Sequence, residues 1–286
     1  MKELITGASG FIGNNLAERL KRSGHQVVRL SLRNETFNRE IDKFKPDNIF
    51  HLAAYGSQAG ENDPNEMVNV NIYKSCMLME AALFNKVKSI ILCGSSSEYG
   101  INKWPMSEDS LLRPDSFYAA SKVAMSMMAR AFAKETDLHV VTLRPFSVYG
   151  PGERDTRFIP TVIRSCLTGE PMKLCPEQNH DWIYIDDLVE GFLVCSDYAH
   201  DLRGEVVNFG LGIQVTNQVV LETIQELMGK KANVTERLFP KPQDSKMWVA
   251  NINRATSLGW RPQTNLVRGL YKTIQFYESK YGTKRE

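Results

Sequence analysis

Two side chains able to exchange a proton stand four residues apart in the segment FYAASK. These are Tyr118 and Lys122, and on a helix they point to the same side because four residues make about one turn. A free phenol has a pKa of about 10, but a neighbouring ammonium group favours the phenolate and lowers that pKa. The pair therefore predicts proton exchange with an alcohol or carbonyl oxygen, unless the spacing is a coincidence on a helix surface.

A run of three serines supplies a third group of this kind. Ser95, Ser96 and Ser97 follow the apolar segment SIILC, which has the pattern of a buried strand. Open parallel sheets bind ligands at the carboxyl ends of their strands, where a hydroxyl can orient a carbonyl oxygen. Serine-rich turns also occur without any ligand. Together with Tyr118 and Lys122, the run favours a three-membered site with one of these serines as its hydroxyl.

Three glycines in LITGASGFIG lie between a short apolar run and an amphipathic helix pattern. Gly7, Gly10 and Gly13 allow a tight turn and let the backbone approach a pyrophosphate, which binds the N–H groups at the helix start. In a strand–turn–helix context, this pattern predicts a dinucleotide site rather than a turn without a ligand. Beside a proton-exchanging pair, such a dinucleotide would transfer hydride.

The end of the second strand pattern indicates which dinucleotide. NAD enzymes usually carry an acidic residue there, about 20 residues after the glycines, to bind the ribose 2′-hydroxyl. The segment VVRLSLRNE offers Ser31 and Arg33 instead, and Glu35 lies further along. A hydroxyl and a guanidinium would bind a 2′-phosphate through charge-assisted hydrogen bonds. NADP is therefore favoured over NAD, although Arg33 can also be read as a solvated loop charge.

The elements that position these residues alternate between strand and helix patterns through the first half of the chain. This alternation predicts an α/β fold, with a Rossmann-type doubly wound parallel sheet covered by helices on both faces. The Pro/Gly-rich GPGE segment predicts the start of a smaller α/β domain. We assign residues 1–150, joined by parts of 183–212, to the dinucleotide-binding domain and residues 151–286 mainly to the second domain.

Composition excludes several other classes of protein. A formal charge of +2 on 286 residues is too balanced to predict nucleic-acid binding. The five cysteines form no Cys-x-x-Cys pair, which favours a reducing compartment over a disulfide framework or a metal site. The chain enters its first strand at Leu4 and has no apolar run long enough to span a bilayer, so a cytoplasmic protein is expected. We read Asp186 and Asp187 as a helix start rather than a metal pair.

The motifs occur in an order that resembles the extended short-chain dehydrogenase/reductases, within the nucleotide-sugar epimerase/dehydratase/reductase family. The resemblance runs through TGASGFIG, PDNIFHLAA, GSSSEYG, YAASK, LRPFSVYGPGE, HDWIYIDDLVEGF, VVNFG and LGWRPQTNLVRGL. It implies a Rossmann domain, a smaller C-terminal substrate domain and an active site between them. It also implies a homodimer through helices beginning near Asn69 and Phe117. The methionine-rich run SKVAMSMMARAF fits such an interface or a core face equally well.

The resemblance assigns roles to individual residues. The family's catalytic hydroxyl stands four residues before the tyrosine of its Tyr-Gly turn, which is Ser95 here, and Tyr118 and Lys122 match its Tyr-x-x-x-Lys. The cofactor-binding set is Gly7, Ser9, Gly10, Phe11, Ile12, Gly13, Ser31, Arg33, Leu52, Ala53, Ala54, Tyr118, Lys122, Phe146 and Val148. The substrate-binding set is Ser96, Ser147, Arg157, Lys173, His180 and Lys241. Within it, Lys241 and His180 replace arginines that relatives place near the nucleotide, and Ser147 replaces an asparagine.

Departures from the family pattern narrow the expected reaction. Family dehydratases carry acidic residues directly after the catalytic hydroxyl, whereas Ser96 and Ser97 occupy those positions here. We therefore predict NADPH-dependent reduction of a keto group, at C4 of a nucleotide-linked 4-keto-6-deoxy sugar. The main alternative is an epimerase that keeps NAD tightly bound. A reductase of non-nucleotide carbonyls and a dinucleotide sensor without turnover are further alternatives.

Overall fold

The structure is a computed structural model that describes residues 1–33, 37–58, 60–240 and 247–282. Its strands are β1 Lys2–Thr6, β2 Gln26–Leu30, β3 Asn48–His51, β4 Ser89–Cys93, β5 His139–Pro145, β6 Ser147–Tyr149, β7 Pro171–Leu174, β8 Asn179–Tyr184, β9 Val206–Phe209, β10 Gln214–Thr216 and β11 Asn233–Arg237. Its helices are α1 Phe11–Arg22, α2 Phe37–Phe44, α3 Pro64–Met67, α4 Lys74–Phe84, α5 Phe117–Glu135, α6 Phe158–Thr168, α7 Ile185–Asp197, α8 Asn217–Met228, α9 Asn253–Ser257 and α10 Leu266–Gly282. A π-helical turn, Val68–Tyr73, joins α3 to α4, and a 3₁₀ turn, Ser96–Tyr99, follows β4.

The main sheet confirms the predicted α/β fold. Within the described residues it has six strands in the order β2-β1-β3-β4-β5-β9, and every neighbouring pair is parallel. The strand order reverses between β1 and β3, because the chain leaves β1 toward one edge and continues from β3 toward the other. Ligands of open α/β sheets bind in the crevice at such a reversal, beyond the carboxyl ends of the strands.

Helices cover both faces of this sheet, which is why its strands are apolar almost throughout. In β4, Ile90 packs into a core shared with α2, α4 and α5, whereas Ile91 packs into a core shared with α1 and α7. Successive strand residues point to opposite faces, so both must be apolar when both faces are buried. The continuous apolar runs in the sequence follow from this arrangement.

Two smaller sheets lie largely in the second half of the chain. One contains β10, β8 and β6, and the other contains β11 and β7. β6 precedes residue 151 yet belongs to the first of these sheets, whereas β9 follows residue 151 and joins the main sheet. Within the described ranges, no helix combines the length and apolar character needed to cross a membrane.

The methionine-rich run in α5 is divided between core and surface. Met125 is buried, whereas Met127 and Met128 remain 42% and 40% exposed. Phe117 at the start of the same helix is 68% exposed, and Phe84 at the end of α4 is 84% exposed. Met125 therefore belongs to the core, whereas Met127 and Met128 are exposed and the interface through them stays a prediction.

Candidate active site

The glycine turn brings the start of α1 against the end of β3. Gly7 adopts a φ of +69°, and a Cβ added there would lie 2.6 Å from the Ala53 backbone nitrogen. A Cβ on Gly13 would lie 2.4 Å from the Gly7 carbonyl oxygen. Any side chain at these positions would push the turn away from β3 or from the helix. The glycines are therefore required for close backbone approach at the crevice between β1 and β3.

The first turn of α1 presents backbone N–H groups that no side chain caps. Gly10 is the N-cap residue, and the first turn contains no acidic side chain within the described range 1–33. Such a helix start is a ready site for a pyrophosphate. Ser9 lies exposed in the turn, and Phe11 and Ile12 begin the helix. These residues fit a dinucleotide.

The residues after β3 line the same crevice. Leu52, Ala53 and Ala54 follow the strand directly and are partly buried. The Ala53 N–H donates to the Thr6 hydroxyl at 3.2 Å, so this segment is held against the end of β1. Its proximity to the glycine turn agrees with its predicted place along the cofactor.

Ser31 and Arg33 lie exposed just beyond β2, as the strand pattern predicted. The Arg33 N–H donates to the Ser31 hydroxyl at 3.3 Å. Arg29, inside β2, donates to Asn14 and Glu18 of α1 at 3.0 and 3.1 Å. Glu35 lies outside the described residues. This strand end therefore offers a hydroxyl and a guanidinium, with Arg29 already paired.

Ser95 stands at the carboxyl end of β4, where it begins the 3₁₀ turn. Its hydroxyl is 2.7 Å from the Ser97 hydroxyl and accepts the Ser97 N–H at 3.2 Å. It also acts as a hydrogen-bonding partner that lowers the pKa of Tyr118. The structure thus brings together the serine and tyrosine that sequence spacing singled out, although 23 positions separate them.

Tyr118 lies in the first turn of α5, which Ser116 caps by accepting the Ala119 N–H at 3.1 Å. Burial raises the pKa of the Tyr118 phenol, and Cys93 and Glu98 raise it further, whereas Ser95 and Arg157 lower it. The predicted lowering of this pKa by a lysine neighbour is therefore wrong, because burial outweighs the opposing groups.

Lys122 follows one turn later on α5 and is only 3% exposed. Burial lowers the pKa of its ammonium group, because the charged form loses its hydration. Its Nζ donates to the Met125 thioether at 3.7 Å, and a thioether is a weak acceptor. Its N–H groups are therefore suited to the hydroxyls of a bound ligand.

A buried polar network that sequence reasoning missed links the end of β1 to α4. The Thr6 hydroxyl lies 2.6 Å from His51 Nδ1, and His51 Nε2 lies 2.8 Å from the Ser75 hydroxyl. Burial lowers the pKa of His51 to about 3, with Lys122 adding to the effect, so the imidazole is neutral. The sequence feature that could have indicated this network is a histidine within the apolar segment NIFHLAA.

A second missed network supports the catalytic helix from the π-helical turn. The Asn71 side chain donates to the Ser121 hydroxyl at 2.9 Å and exchanges two 2.8 Å bonds with the Tyr55 backbone. Ser121 in turn donates to the Tyr118 carbonyl oxygen at 2.8 Å. The turn that carries the phenol is therefore bonded to the chain beyond β3.

Ser147 and His180 meet on the neighbouring sheet, since β6 and β8 are paired. The Ser147 hydroxyl lies 2.9 Å from His180 Nδ1, and the imidazole packs on Trp182 at 4.6 Å between ring centroids. Phe146, which directly follows β5, is buried against Tyr99, and Val148 follows in β6. Ser96 is buried in the 3₁₀ turn.

The predicted cationic residues have different surroundings. Arg157 precedes α6, and its charge lowers the pKa of Tyr118, so it lies within electrostatic reach of the phenol. Lys173 is 64% exposed and pairs with Glu236 at 2.6 Å across β7 and β11, a sheet that carries none of the catalytic residues. Lys241 lies outside the described residues. The structure therefore associates Arg157, but not Lys173, with the site.

Glu153 is a buried acid that the sequence did not single out. It is 8% exposed, and among the described residues its Oε2 has no hydrogen-bond partner. Burial raises its pKa to about 8, with Arg157 opposing the rise. In the described part of the chain, no group of three or more His, Cys, Asp or Glu side chains is placed to bind a metal ion.

Residues 3–210 match the NAD dependent epimerase/dehydratase family. The chain belongs to this family. It is 30% identical to the UDP-glucose 4-epimerase of Mycolicibacterium smegmatis, over 98% of this chain and 99% of that protein. It is 29% identical to UDP-glucuronate 4-epimerase 4 of Arabidopsis thaliana, over 97% of this chain and 75% of that protein. The resemblance inferred from the motifs is thereby confirmed.

Solved structures agree with this family assignment over nearly the whole chain. MoeE5 in complex with UDP-glucuronic acid and NAD is 30% identical to this chain, with a TM-score of 0.87. The superposition covers 98% of this chain and 100% of that chain. The UDP-glucuronic acid 4-epimerase of Bacillus cereus, in complex with UDP-glucuronic acid and NAD, is 26% identical with a TM-score of 0.87, over 98% and 100% of the two chains. These relatives support NAD rather than the predicted NADP, and epimerisation rather than ketoreduction.

Proposed function

We propose that the protein is an NAD-dependent 4-epimerase of a UDP-linked sugar. The proposal depends on one observation: the chain aligns along nearly its whole length with 4-epimerases while retaining Ser95, Tyr118 and Lys122. Ketoreduction with NADPH, the first prediction from the sequence, has no comparable support. The epimerase alternative accounts for the same three residues and for the cofactor seen in the related structures.

The glycine turn and the residues after β3 would hold NAD. The uncapped start of α1 suits its pyrophosphate, and the Lys122 ammonium suits ribose hydroxyls. Ser31 is uncharged, so it also accommodates the 2′-hydroxyl of NAD. When bound there, NAD would supply reversible hydride transfer at the sugar carbon.

Tyr118 and Ser95 would handle the proton of the sugar hydroxyl. The phenolate form of Tyr118 takes that proton as the carbon is oxidised, and the phenol returns it when the carbonyl is reduced. The Ser95 hydroxyl, which already interacts with the phenol, donates a hydrogen bond to the same oxygen. Both residues are partly buried, which reduces the competition from water for these groups.

We assign substrate binding mainly to residues 151–286, together with Ser96 and Ser147 near the strand ends. Ser147 and His180 form a hydroxyl–imidazole pair that can bond a sugar or phosphate oxygen. Arg157 can neutralise part of the diphosphate charge, because a guanidinium binds phosphate oxygens through two N–H groups. Lys241 stays a prediction from the sequence.

The test is incubation of the purified protein with UDP-glucose or UDP-glucuronic acid, followed by separation of the 4-epimers. Interconversion without net change in nicotinamide absorbance supports the proposal. Tyr118→Phe is expected to lose turnover by 100-fold or more, on the order of the contribution of general acid–base catalysis, while retaining bound NAD. Net oxidation of NADPH with a 4-keto sugar, without epimerisation, would instead support the reductase prediction.

A further inference from the structure

Glu98 is a fully buried acid that contacts three elements of the active site. It lies in the 3₁₀ turn after β4 and is 0% exposed. Its Oε1 accepts the Ser95 N–H at 2.8 Å. Its Oε2 accepts the Ser126 hydroxyl at 2.8 Å, and Arg144 Nε and Nη2 at 2.9 and 2.7 Å. One carboxylate thus bonds the loop of the catalytic serine to α5 and β5.

The bond to Ser126 matters because of where that serine lies. Ser126 is on α5, one turn after Lys122 and two turns after Tyr118. The carboxylate therefore connects the backbone nitrogen of Ser95 to the same helix that carries the phenol. The two catalytic residues are far apart in sequence, and their separation depends on how the turn after β4 is held against α5.

Arg144 fixes the carboxylate from the other side. It is 1% exposed, and its guanidinium lies 4.8 Å from the Tyr99 ring centroid. Tyr99 is itself anchored, since its hydroxyl donates to Asn208 on β9 at 2.7 Å. A buried charged pair with this many partners has little freedom to move.

We propose that Glu98 is a positioning residue that sets the distance between the Ser95 hydroxyl and the Tyr118 phenol, through its bonds to the Ser95 N–H and the Ser126 hydroxyl. This inference rests on the proposed function, because it assumes that the two groups act on one sugar oxygen. If the carboxylate only stabilised the fold, the loss of kcat in Ser126→Ala would not depend on the Ser95 hydroxyl.

Ser126→Ala is the variant that tests the proposal. Glu98→Gln would leave Arg144 buried without its counter-charge and is expected to impair folding. Ser126→Ala removes one hydroxyl and keeps the ion pair. Its matched control is Ser165→Ala on α6, a serine that is equally buried and bonded to Glu170 and Asn233 at 2.7 and 2.8 Å.

Ser126→Ala is expected to lower kcat on the order of tenfold, with KM and bound NAD unchanged, because small displacements of reacting groups are costly. The control is expected to lose similar stability without losing kcat. In a Ser95→Ala background, Ser126→Ala should change kcat by less than about twofold, since the hydroxyl that it positions is gone.

Two results would overturn the proposal. One is an unchanged kcat in Ser126→Ala, and the other is an equal loss of kcat in the presence and absence of the Ser95 hydroxyl. Failure of the proposed function is distinct, because it would appear in the wild-type protein as reduction of a keto sugar instead of epimerisation. The same double-mutant cycle would then be measured on that reaction.

Discussion

The protein is expected to lose stability as pH rises because of Glu153, and Glu153→Gln is expected to abolish that pH-dependent loss. Burial raises the pKa of Glu153 from 4.5 to about 8. The unfolded chain therefore releases this proton near pH 4.5, whereas the native protein retains it until about pH 8. Stability contributed by the bound proton is fully present below pH 4.5 and is lost as pH rises through this window.

The size of the effect follows from the shift. Each unit of pKa difference corresponds to about 1.4 kcal/mol, so the whole window amounts to about 5 kcal/mol of unfolding free energy. Between pH 5 and pH 8 the wild-type protein should lose about 3.5 kcal/mol through this group. At roughly 2.1 cal/mol/K of unfolding entropy per residue, that loss lowers Tm by about 6 °C.

The assay is urea unfolding of wild-type protein and Glu153→Gln at pH 5 and pH 8, without added ligand. Other groups titrate in both proteins, so the quantity measured is the difference between their two pH slopes. Asp155→Asn is the control. Although burial acts to raise it, contacts with Lys280 hold the pKa of Asp155 below its usual range, so this group titrates outside the window. Parallel stability curves for wild type and Glu153→Gln would refute the reasoning.

Three further predictions concern the cofactor, the surface and a rejected site residue. Gly13→Ala should reduce the NAD recovered from denatured protein, because its Cβ would lie 2.4 Å from the Gly7 oxygen; full occupancy would contradict the close approach. We expect a dimer through the exposed faces of α4 and α5. Phe117→Glu should then sediment as a monomer, and an unchanged mass would exclude this face as the dimer interface. Lys173→Ala should leave KM for the sugar nucleotide unchanged. A severalfold rise in KM would show that Lys173 does contribute to substrate binding.

The parts of the site that follow from local pattern were predictable from the sequence. The glycine turn was recognisable because its geometry depends on residues that are adjacent in the chain. The apolar strands were recognisable because both of their faces are buried. Tyr118 and Lys122 needed only helical spacing. The apolar strand pattern pointed to the three serines that follow it, and the family resemblance selected Ser95 among them.

The features that the sequence could not predict depend on contacts between residues that are far apart in the chain. Glu98 and Arg144 are 46 positions apart, and nothing local marks them as partners. The exposure of Lys173 and its bond to Glu236 depend on how β7 and β11 pair. The choice between NAD and NADP was inferred from two side chains at one strand end, and it was the comparison with relatives that favoured NAD.

The raised pKa of Tyr118 bears on which reaction the site suits. Spacing alone suggested an acidic phenol, whereas burial makes the phenol hold its proton more tightly. General acid–base catalysis is most efficient when the pKa of the catalytic group lies near the operating pH, so a buried phenol with a raised pKa is suited first to donating its proton. An epimerase must also remove a proton from the sugar oxygen in each turnover, which requires the phenolate. A positive charge close to the phenol, such as that of an oxidised nicotinamide bound in the crevice, would favour the phenolate and oppose the effect of burial.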